Sequence, residues 1–376
     1  MKISGTAPPS QSTLRSTLES LAAALGVIAV TVFLFAPHLW ALTEPTPGSF
    51  EWDRALGFLR QCNNPWDPDV EAALRWRLLP PTVAHWFGLT GKSALVLAWL
   101  GIVTLLAQVD WTLRGLGVAR RARIATMFLV AGSGGLLTSM HWLGINDGWY
   151  LVGLVAVTLG RGWRSLVVPC LLCVWVDERF VVALPLAVIC RTIRTADDAP
   201  AESVAGLLRR LAIVIWPCAL ALLPYGIVRI SLSVGDEDLA NGWFLRTIAS
   251  EFVTWLSYAP LGWWMGLRAA WFPLFTGLRD VASARGMLSA ALCAVAVCGT
   301  LSASIVLAAD ISRTAILLLP GVLCGSISLA RTARGERALV VAAMAGLLLP
   351  AMHVSGTSAE PIHWLPREIW RLIHGF

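Results

Sequence analysis

Ser165–Cys190 reads SLVVPCLLCVWVDERFVVALPLAVIC, an apolar run of 26 residues with Asp177, Glu178 and Arg179 at its centre. As one helix it would extend about 39 Å at 1.5 Å per residue, with three charges at the depth where a bilayer tolerates them least. As two arms, Ser165–Val176 and Phe180–Cys190, each piece would be only about 18 Å long. That is too short for a hydrocarbon core about 30 Å thick. The apex must then be buried in protein or line a water-filled cavity. Pro169 and Pro185 also oppose one straight helix. The two-arm reading is preferred, and it decides the topology, because a single helix would invert everything downstream.

Further apolar runs lie near 20–42, 91–110, 124–142, 148–160, 211–231, 254–277, 287–309, 314–330 and 338–354. With two arms at 165–190 there are eleven segments, starting inside and ending outside. The inner gaps (1–19, 110–123, 161–164, 191–210, 278–286, 331–337) hold 17 Lys/Arg and 7 Asp/Glu, and the outer gaps 10 and 16. Basic residues resist translocation, so the N-terminus is expected inside and the C-terminus outside, in a bacterial-type inner membrane. The expected fold is an all-α polytopic membrane protein. It has about 10–11 transmembrane or re-entrant helices and an outer-face cavity. Residues 1–19 form a cytoplasmic tail, 20–354 the membrane domain with a large outer loop at 43–90, and 355–376 an outer tail.

Composition excludes an ordinary soluble domain: 57% of residues are hydrophobic, 14% are charged, and the mean hydropathy is +0.69. The lipid bilayer is the first partner. The net charge of +6 is accounted for by positive-inside sorting, so no nucleic-acid partner is expected. Nineteen tryptophans against three tyrosines fit anchoring at the headgroup level. Seven of the eight cysteines lie in apolar runs and only Cys62 in an outer loop, which reads as packing rather than as a disulfide framework. The first run follows Arg15 without a clear small-x-small site before Pro37, so it reads as an uncleaved signal anchor.

In the first outer loop, Glu51–Cys62 and Asp69–Arg77 read as short helices. Thr82–Leu89, with Trp86 and Phe87, reads as a stretch lying along the interface. Asp147 opens a run of only a dozen apolar residues, so it is expected below the outer surface, near the Asp177 apex. Two acidic apices would then share an outward-open polar cavity.

Carboxylates at membrane depth are expensive and commonly functional, which singles out Asp147, Asp177 and Glu178. Structurally, the last two would instead neutralise Arg179 or Arg313. Glu51-Trp52-Asp53 offers a general base for a hydroxyl or a cation site, with Asp53 the first choice. Asp67-Pro68-Asp69 has literal DxD spacing and supplies candidate ligands for a divalent cation, although such acids also cap helices. Arg75, Arg77, Arg179 and Arg313 are candidate phosphate ligands through forked hydrogen bonds. His141 and Asp310 complete the candidate substrate contacts, although Asp310 and Arg313 could equally form an internal ion pair. No HExxH, Walker-type loop or GxSxG occurs, which argues against a zinc hydrolase, a P-loop ATPase and a lipase.

The many spans, the long first outer loop carrying Glu51-x-Asp53 and Asp67-x-Asp69, the short re-entrant segments and the amphipathic stretch behind the acidic pair resemble the GT-C superfamily of polytopic glycosyltransferases. That resemblance implies a polyprenyl-phosphate-linked sugar as donor and an acidic motif in an early outer loop. Only a short tail follows the last run, where many members carry a large soluble domain, which points toward a lipid or glycan acceptor. The alternative is a transporter or lipid-linked glycan flippase, for which Arg229 and Arg268, inside apolar runs, are the pathway candidates. The acids cluster toward one face, which favours chemistry there. A reporter active only outside the cytoplasm is expected to be silent when fused after Arg194 and active after Gly356. Activity at Arg194 would make 165–190 a single span.

Overall fold

A computed structural model describes residues 10–35, 50–67, 69–70, 72–195, 204–233, 242–307 and 310–374. The described chain is predominantly helical. In order it forms α1 (Ser10–Leu34), α2 (Phe50–Asn63), α3 (Ala72–Arg75), α4 (Leu79–Trp86), α5 (Val96–Gly115), α6 (Arg120–Ala131), α7 (Gly134–His141), α8 (Asp147–Leu159) and α9 (Arg164–Leu172). There follow α10 (Arg179–Arg194), α11 (Val204–Ser233), α12 (Gly242–Leu267), α13 (Trp271–Arg285), α14 (Met287–Leu307), α15 (Ile311–Thr314), α16 (Leu319–Leu329) and α17 (Ala333–Leu348). The antiparallel pair β1 (Ala351–Val354) and β2 (Ala359–Ile362) precedes α18 (Leu365–His374).

Five described segments are long and apolar enough to cross a bilayer: Leu14–Leu34, Gly91–Gly115, Val204–Leu232, Met287–Ile305 and Ile311–Leu329. The bent pair α6–α7, with a 62° angle, would be a sixth. These helices mark an integral membrane protein. α11 shows why: Ile213, Trp216, Leu220, Leu223, Ile227 and Ile230 are exposed along it, which suits lipid and not water. By contrast α8, α10 and α16 form the packed centre, with Tyr150, Leu151, Leu154, Phe180, Leu186 and Leu323 buried.

The 165–190 run is two helices. The chain leaves α9 through a 3₁₀ turn at Cys173–Trp175 and restarts at Arg179. Asp177 assists the restart, since its Oδ1 accepts the Arg179 backbone N–H at 2.9 Å, the role a carboxylate plays at a helix N-terminus. Both α8, about 20 Å long, and α9 are too short to span.

Some expectations need correction. The 254–277 run is broken at Arg268, which adopts φ +51° between α12 and α13. Arg268 is 1% exposed and donates to the carbonyls of Gly132 (2.5 Å), Gly346 (2.6 Å) and Leu349. It thus draws the C-terminal ends of α6 and α17 together, where helix carbonyls favour a cation. The last run is helical only to Leu348; after Pro350 the chain turns extended as β1 and pairs across the 354/355 boundary. The N-terminal helix begins at Ser10, inside the expected tail. Among the described residues of the second expected loop helix only α3 is helical, and α2 matches the reading; α4 instead begins at Leu79 and runs through Pro80 and Pro81, where a break was expected, with Trp86 and Phe87 exposed.

The basic gaps collect at one end of the bundle. Arg191 donates to Val157 O (2.9 Å), Gly162 O (2.8 Å) and Ser165 Oγ (2.9 Å), and Arg194 to Leu159 O (3.1 Å). Arg194, Arg285 and Arg331 surround a single pocket. Asp110 takes Arg123 (2.8 Å) and Ser20 (2.7 Å), while Arg114 reaches Glu19 (2.8 Å). Because Arg268 binds the C-termini of both α6 and α17, which pack together, their basic N-termini share this end.

The bend at Gly132–Gly135 lets α7 press between α12 and α15. A Cβ on Gly134 would lie 2.3 Å from Met265 O, and one on Gly135 2.7 Å from Arg313 O. Gly134→Val is therefore expected to destabilise the protein by about 1–3 kcal/mol through overpacking. Gly226→Ala, where nothing lies within 4 Å, should be neutral or slightly stabilising. Thermal unfolding in detergent compares the two, and equal effects would contradict the packing.

Candidate functional site

At the end opposite the basic gaps, three carboxylates and three guanidiniums converge. Asp147, the first residue of α8, uses all four lone-pair positions of its carboxylate. Oδ1 accepts from Arg179 Nη2 (2.8 Å) and Arg313 Nη2 (2.7 Å), and Oδ2 from Arg313 Nε (2.7 Å) and Ser139 Oγ (3.0 Å). Asp177 is held by three hydrogen bonds and an ion pair. Arg179 grips it through Nε (2.8 Å) and Nη2 (2.7 Å), the Arg179 backbone N–H bonds Oδ1, and Arg77 Nε stands 3.3 Å from Oδ2. Asp310 accepts from Arg313 Nη1 at 3.2 Å. Asp147, Asp177 and Arg313 are each 2% exposed or less.

Such burial is tolerated because charges balance and pairing is complete; an isolated buried ion would cost several kcal/mol. The forked Arg313–Asp147 and Arg179–Asp177 pairs are the strong, geometry-defining kind. Tyr150 packs 5.6 Å from the Arg179 guanidinium carbon.

His353 on β1 extends the cluster. Its Nε2 lies 3.8 Å from Asp310, its Nδ1 3.5 Å from Thr138 Oγ1, and its ring meets Trp142 edge-on at 4.2 Å. β1 is fixed there because Val354 N–H donates to Ser312 Oγ at 2.9 Å. Burial holds the His353 pKa down to about 4, with Arg313 acting in the same direction and Asp310 opposing.

The candidates from sequence distribute unevenly. Asp147, Asp177, Arg77, Arg179, Asp310 and Arg313 come together. Glu178 turns away to α11, where Oε1 accepts from Arg229 (2.5 Å) and Tyr225 (2.9 Å) while Arg229 stacks 4.4 Å over Trp76. Arg75 spends its guanidinium on Val70 O at 3.2–3.3 Å, fixing the loop rather than facing the cluster. His141 is buried on α7. Asp67 Oδ1 accepts Asp69 N–H at 2.9 Å and Asp69 is exposed, a turn and not a pair of converging ligands. No group of three or more His, Cys, Asp or Glu arranged to hold a metal occurs among the described residues. Glu51 and Asp53 fall in α2, but their side chains lie outside the described residues, as does the 236–238 acidic run.

A carboxylate accepts about four hydrogen bonds. Asp147 accepts four, and Asp177 accepts three with Arg77 Nε in an ion pair beside Oδ2, so in this arrangement both hold arginines in place. The open partner is Arg77, whose side chain is 26% exposed and lines a cavity of about 30 Å³ with Gln61, Asn146, Asp147, Asp177 and Arg313. That is room for one or two waters. Beside it runs an apolar groove of about 650 Å³ between α8 and α9, from Leu79 and Val83 past Trp149 and Val152 to Arg161 and Arg164. Pro80 and Val176 line both spaces.

Sequence reasoning missed Ser139, Thr138, His353, Gln61 and the Tyr225–Arg229 clamp on Glu178. Only Arg229 carried a signal, as a single charge within an apolar run. No family model matches this chain, and no curated protein or solved structure matches it.

Asp147→Asn would leave two buried guanidiniums short of charge and is expected to cost about 3–5 kcal/mol. Glu178→Gln, at a partly exposed pair, should cost about 0–1 kcal/mol. Comparable losses in detergent denaturation would contradict the network. For His353 the unfolded chain binds more protons between its ordinary pKa near 6.5 and the folded value of about 4. Its stabilising contribution is therefore full above about 6.5 and falls on acidification, by at most about 1.4 kcal/mol per pH unit. His353→Gln should flatten the melting temperature between pH 7 and 5; an unchanged slope would contradict a buried neutral imidazole.

Proposed function

We propose that this chain is a membrane glycosyltransferase that takes a sugar from a polyprenyl-phosphate donor at the acidic, non-cytoplasmic end and passes it to a glycan or lipid acceptor. The observation that carries the reading is the junction of the Arg77 cavity with the apolar groove through Pro80 and Val176. A guanidinium beside a long apolar trough suits an amphiphile with a phosphate head and a prenyl tail. The GT-C resemblance of the early acidic loop points to the same substrate class. The orientation follows the charge bias, with the N-terminus inside and the C-terminus outside an inner membrane.

In this reading the acceptor oxygen bonds to the anomeric carbon as the bond from that carbon to the phosphate oxygen breaks. The electron pair leaves with the phosphate, whose charge Arg77 meets, and the hydroxyl proton passes to Asp53, with Glu51 the second choice. Arg179 and Arg313, committed to Asp147 and Asp177, hold the frame. A cation, where one is used, would have to be found in the acidic loop.

Purified protein with a panel of polyprenyl-phosphate sugars tests this, with transfer and donor binding read separately. Asp53→Asn should lower turnover by roughly 10²–10⁴ with donor binding intact. Arg77→Ala should weaken donor binding by about tenfold or more, the loss of one charge-assisted contact. Wild-type protein that transfers nothing but moves lipid across vesicles would replace the transferase with a flippase.

A further inference from the structure

Asp147 and Arg313 are fully engaged with each other and their neighbours, but three other side chains of the Arg77 cavity are not. Arg77 gives Nε to Asp177, and neither of its terminal nitrogens has a partner among the described residues. Asn146 donates Nδ2 to Gly144 O at 3.0 Å, and its Oδ1 is buried with no hydrogen-bond partner among the described residues. Gln61, 2% exposed, donates Nε2 to Leu74 O at 3.2 Å, and its Oε1 accepts nothing from the described residues. These bonds fix both amides. Turned over, each would set an oxygen against a carbonyl oxygen, so the oxygens are the free ends.

The backbone explains why the three residues meet. Leu74 O accepts Gln61 Nε2 and also, at 2.9 Å, the Arg77 backbone N–H, which ties α2 to the segment that carries Arg77. On the other wall Gly144 turns with φ +74°, and a Cβ there would lie 3.2 Å from Ala55 Cα and from Phe58 Cβ. The bare turn therefore presses against α2 about one helical turn before Gln61, and Asn146 follows two residues later. The rest of the lining is apolar or already bonded, with Phe58, Pro80, Ile145 and Val176 among it.

An amide oxygen only accepts hydrogen bonds, and a guanidinium only donates them. A phosphate oxygen satisfies Arg77 but brings no hydrogen to the two amide oxygens. A hydroxyl serves both sides, accepting from Arg77 and donating to an amide. The cavity of about 30 Å³ admits one or two such oxygen atoms and no larger group. In a sugar joined to phosphate at its anomeric carbon, the nearest hydroxyl to that phosphate is the one on the adjoining carbon, C2.

Resting on the transferase reading, we propose that Asn146 and Gln61 select a donor sugar by its 2-hydroxyl. The hydroxyl oxygen accepts from one terminal nitrogen of Arg77, its hydrogen is donated to Asn146 Oδ1 or Gln61 Oε1, and the other Arg77 nitrogen keeps the phosphate. The substrates are then 2-hydroxy sugars such as glucose or mannose. A 2-deoxy sugar leaves a buried acceptor unpaired, and a 2-acetamido group is too large for the cavity. Neither residue touches the bond that breaks, so both determine specificity.

The test measures binding of five probes to the full chain in detergent. They are farnesyl phosphate alone and its 1-linked glucosyl, mannosyl, 2-deoxyglucosyl and N-acetylglucosaminyl diesters. The better of the glucosyl and mannosyl probes should bind at least about tenfold more tightly than the 2-deoxyglucosyl and N-acetylglucosaminyl probes. Asn146→Ala and Gln61→Ala should each shrink that ratio several-fold, with the affinity for farnesyl phosphate alone unchanged. Asn146→Ser, shorter but still polar beside the Gly144 turn, replaces Asn146→Ala if that variant does not fold. Wild type that binds 2-hydroxy probes no more tightly than 2-deoxy ones, or a ratio that survives the substitutions, overturns the proposal and leaves the transferase reading standing. Failure of that reading looks different: farnesyl phosphate alone would not bind, or would bind equally well after Arg77→Ala, and both would then fall.

Discussion

Every lone pair of the Asp147 carboxylate is occupied, and the acidic end of the molecule is organised around that fact. Its four donors come from α7 (Ser139), from the restart of α10 (Arg179) and, twice, from α15 (Arg313). Ions this deeply buried are tolerable only when each is matched, so the elements supplying them cannot drift independently. The short helices follow from this. α8 starts where Asp147 must sit, α9 stops where Asp177 must turn, and α7 bends over Gly132–Gly135 so that Ser139 and Thr138 reach the cluster.

A different solution serves Arg268. Its Nη groups donate to carbonyls at the ends of α6 and α17, and the chain accepts a left-handed residue there to aim it. Charge is thus matched by charge at the acidic end and by helix termini at Arg268. At the basic end Arg191 and Arg194 donate to carbonyls.

Much of this was legible in the sequence where the signal is local. Asp177-Glu178-Arg179 in the centre of an apolar run announced the α9–α10 break, because no single helix could carry three charges at that depth. The Asp310–Arg313 pair was readable at i,i+3. The bias of arginines between gaps anticipated two ends of opposite character, and the structure collects the basic gaps together. What was not legible depends on distance along the chain. Asp147 and Arg313 are 166 residues apart, so nothing in either neighbourhood announces that they pair, and Asp147 reads as a free acid, whereas for Asp177 pairing with Arg179 or Arg313 is already one of the two readings. Arg268 escaped because one charge hardly lowers the hydropathy of a long apolar run. The β1–β2 turn was announced only by Pro350, at the end of a run that otherwise continues.

Arg77 stands at the edge of the ion network, beside a cavity that shares Pro80 and Val176 with an apolar groove, and the network holds that edge in place. The most direct measurement is a double-mutant cycle across Asp147→Asn and Arg313→Gln, read by equilibrium unfolding in detergent. The account predicts strong coupling: each single change destabilises by several kcal/mol, and the double variant loses much less than the sum. Additive losses, to within about 0.5 kcal/mol, would mean that the two residues do not depend on each other and would contradict the network as the organiser of this end.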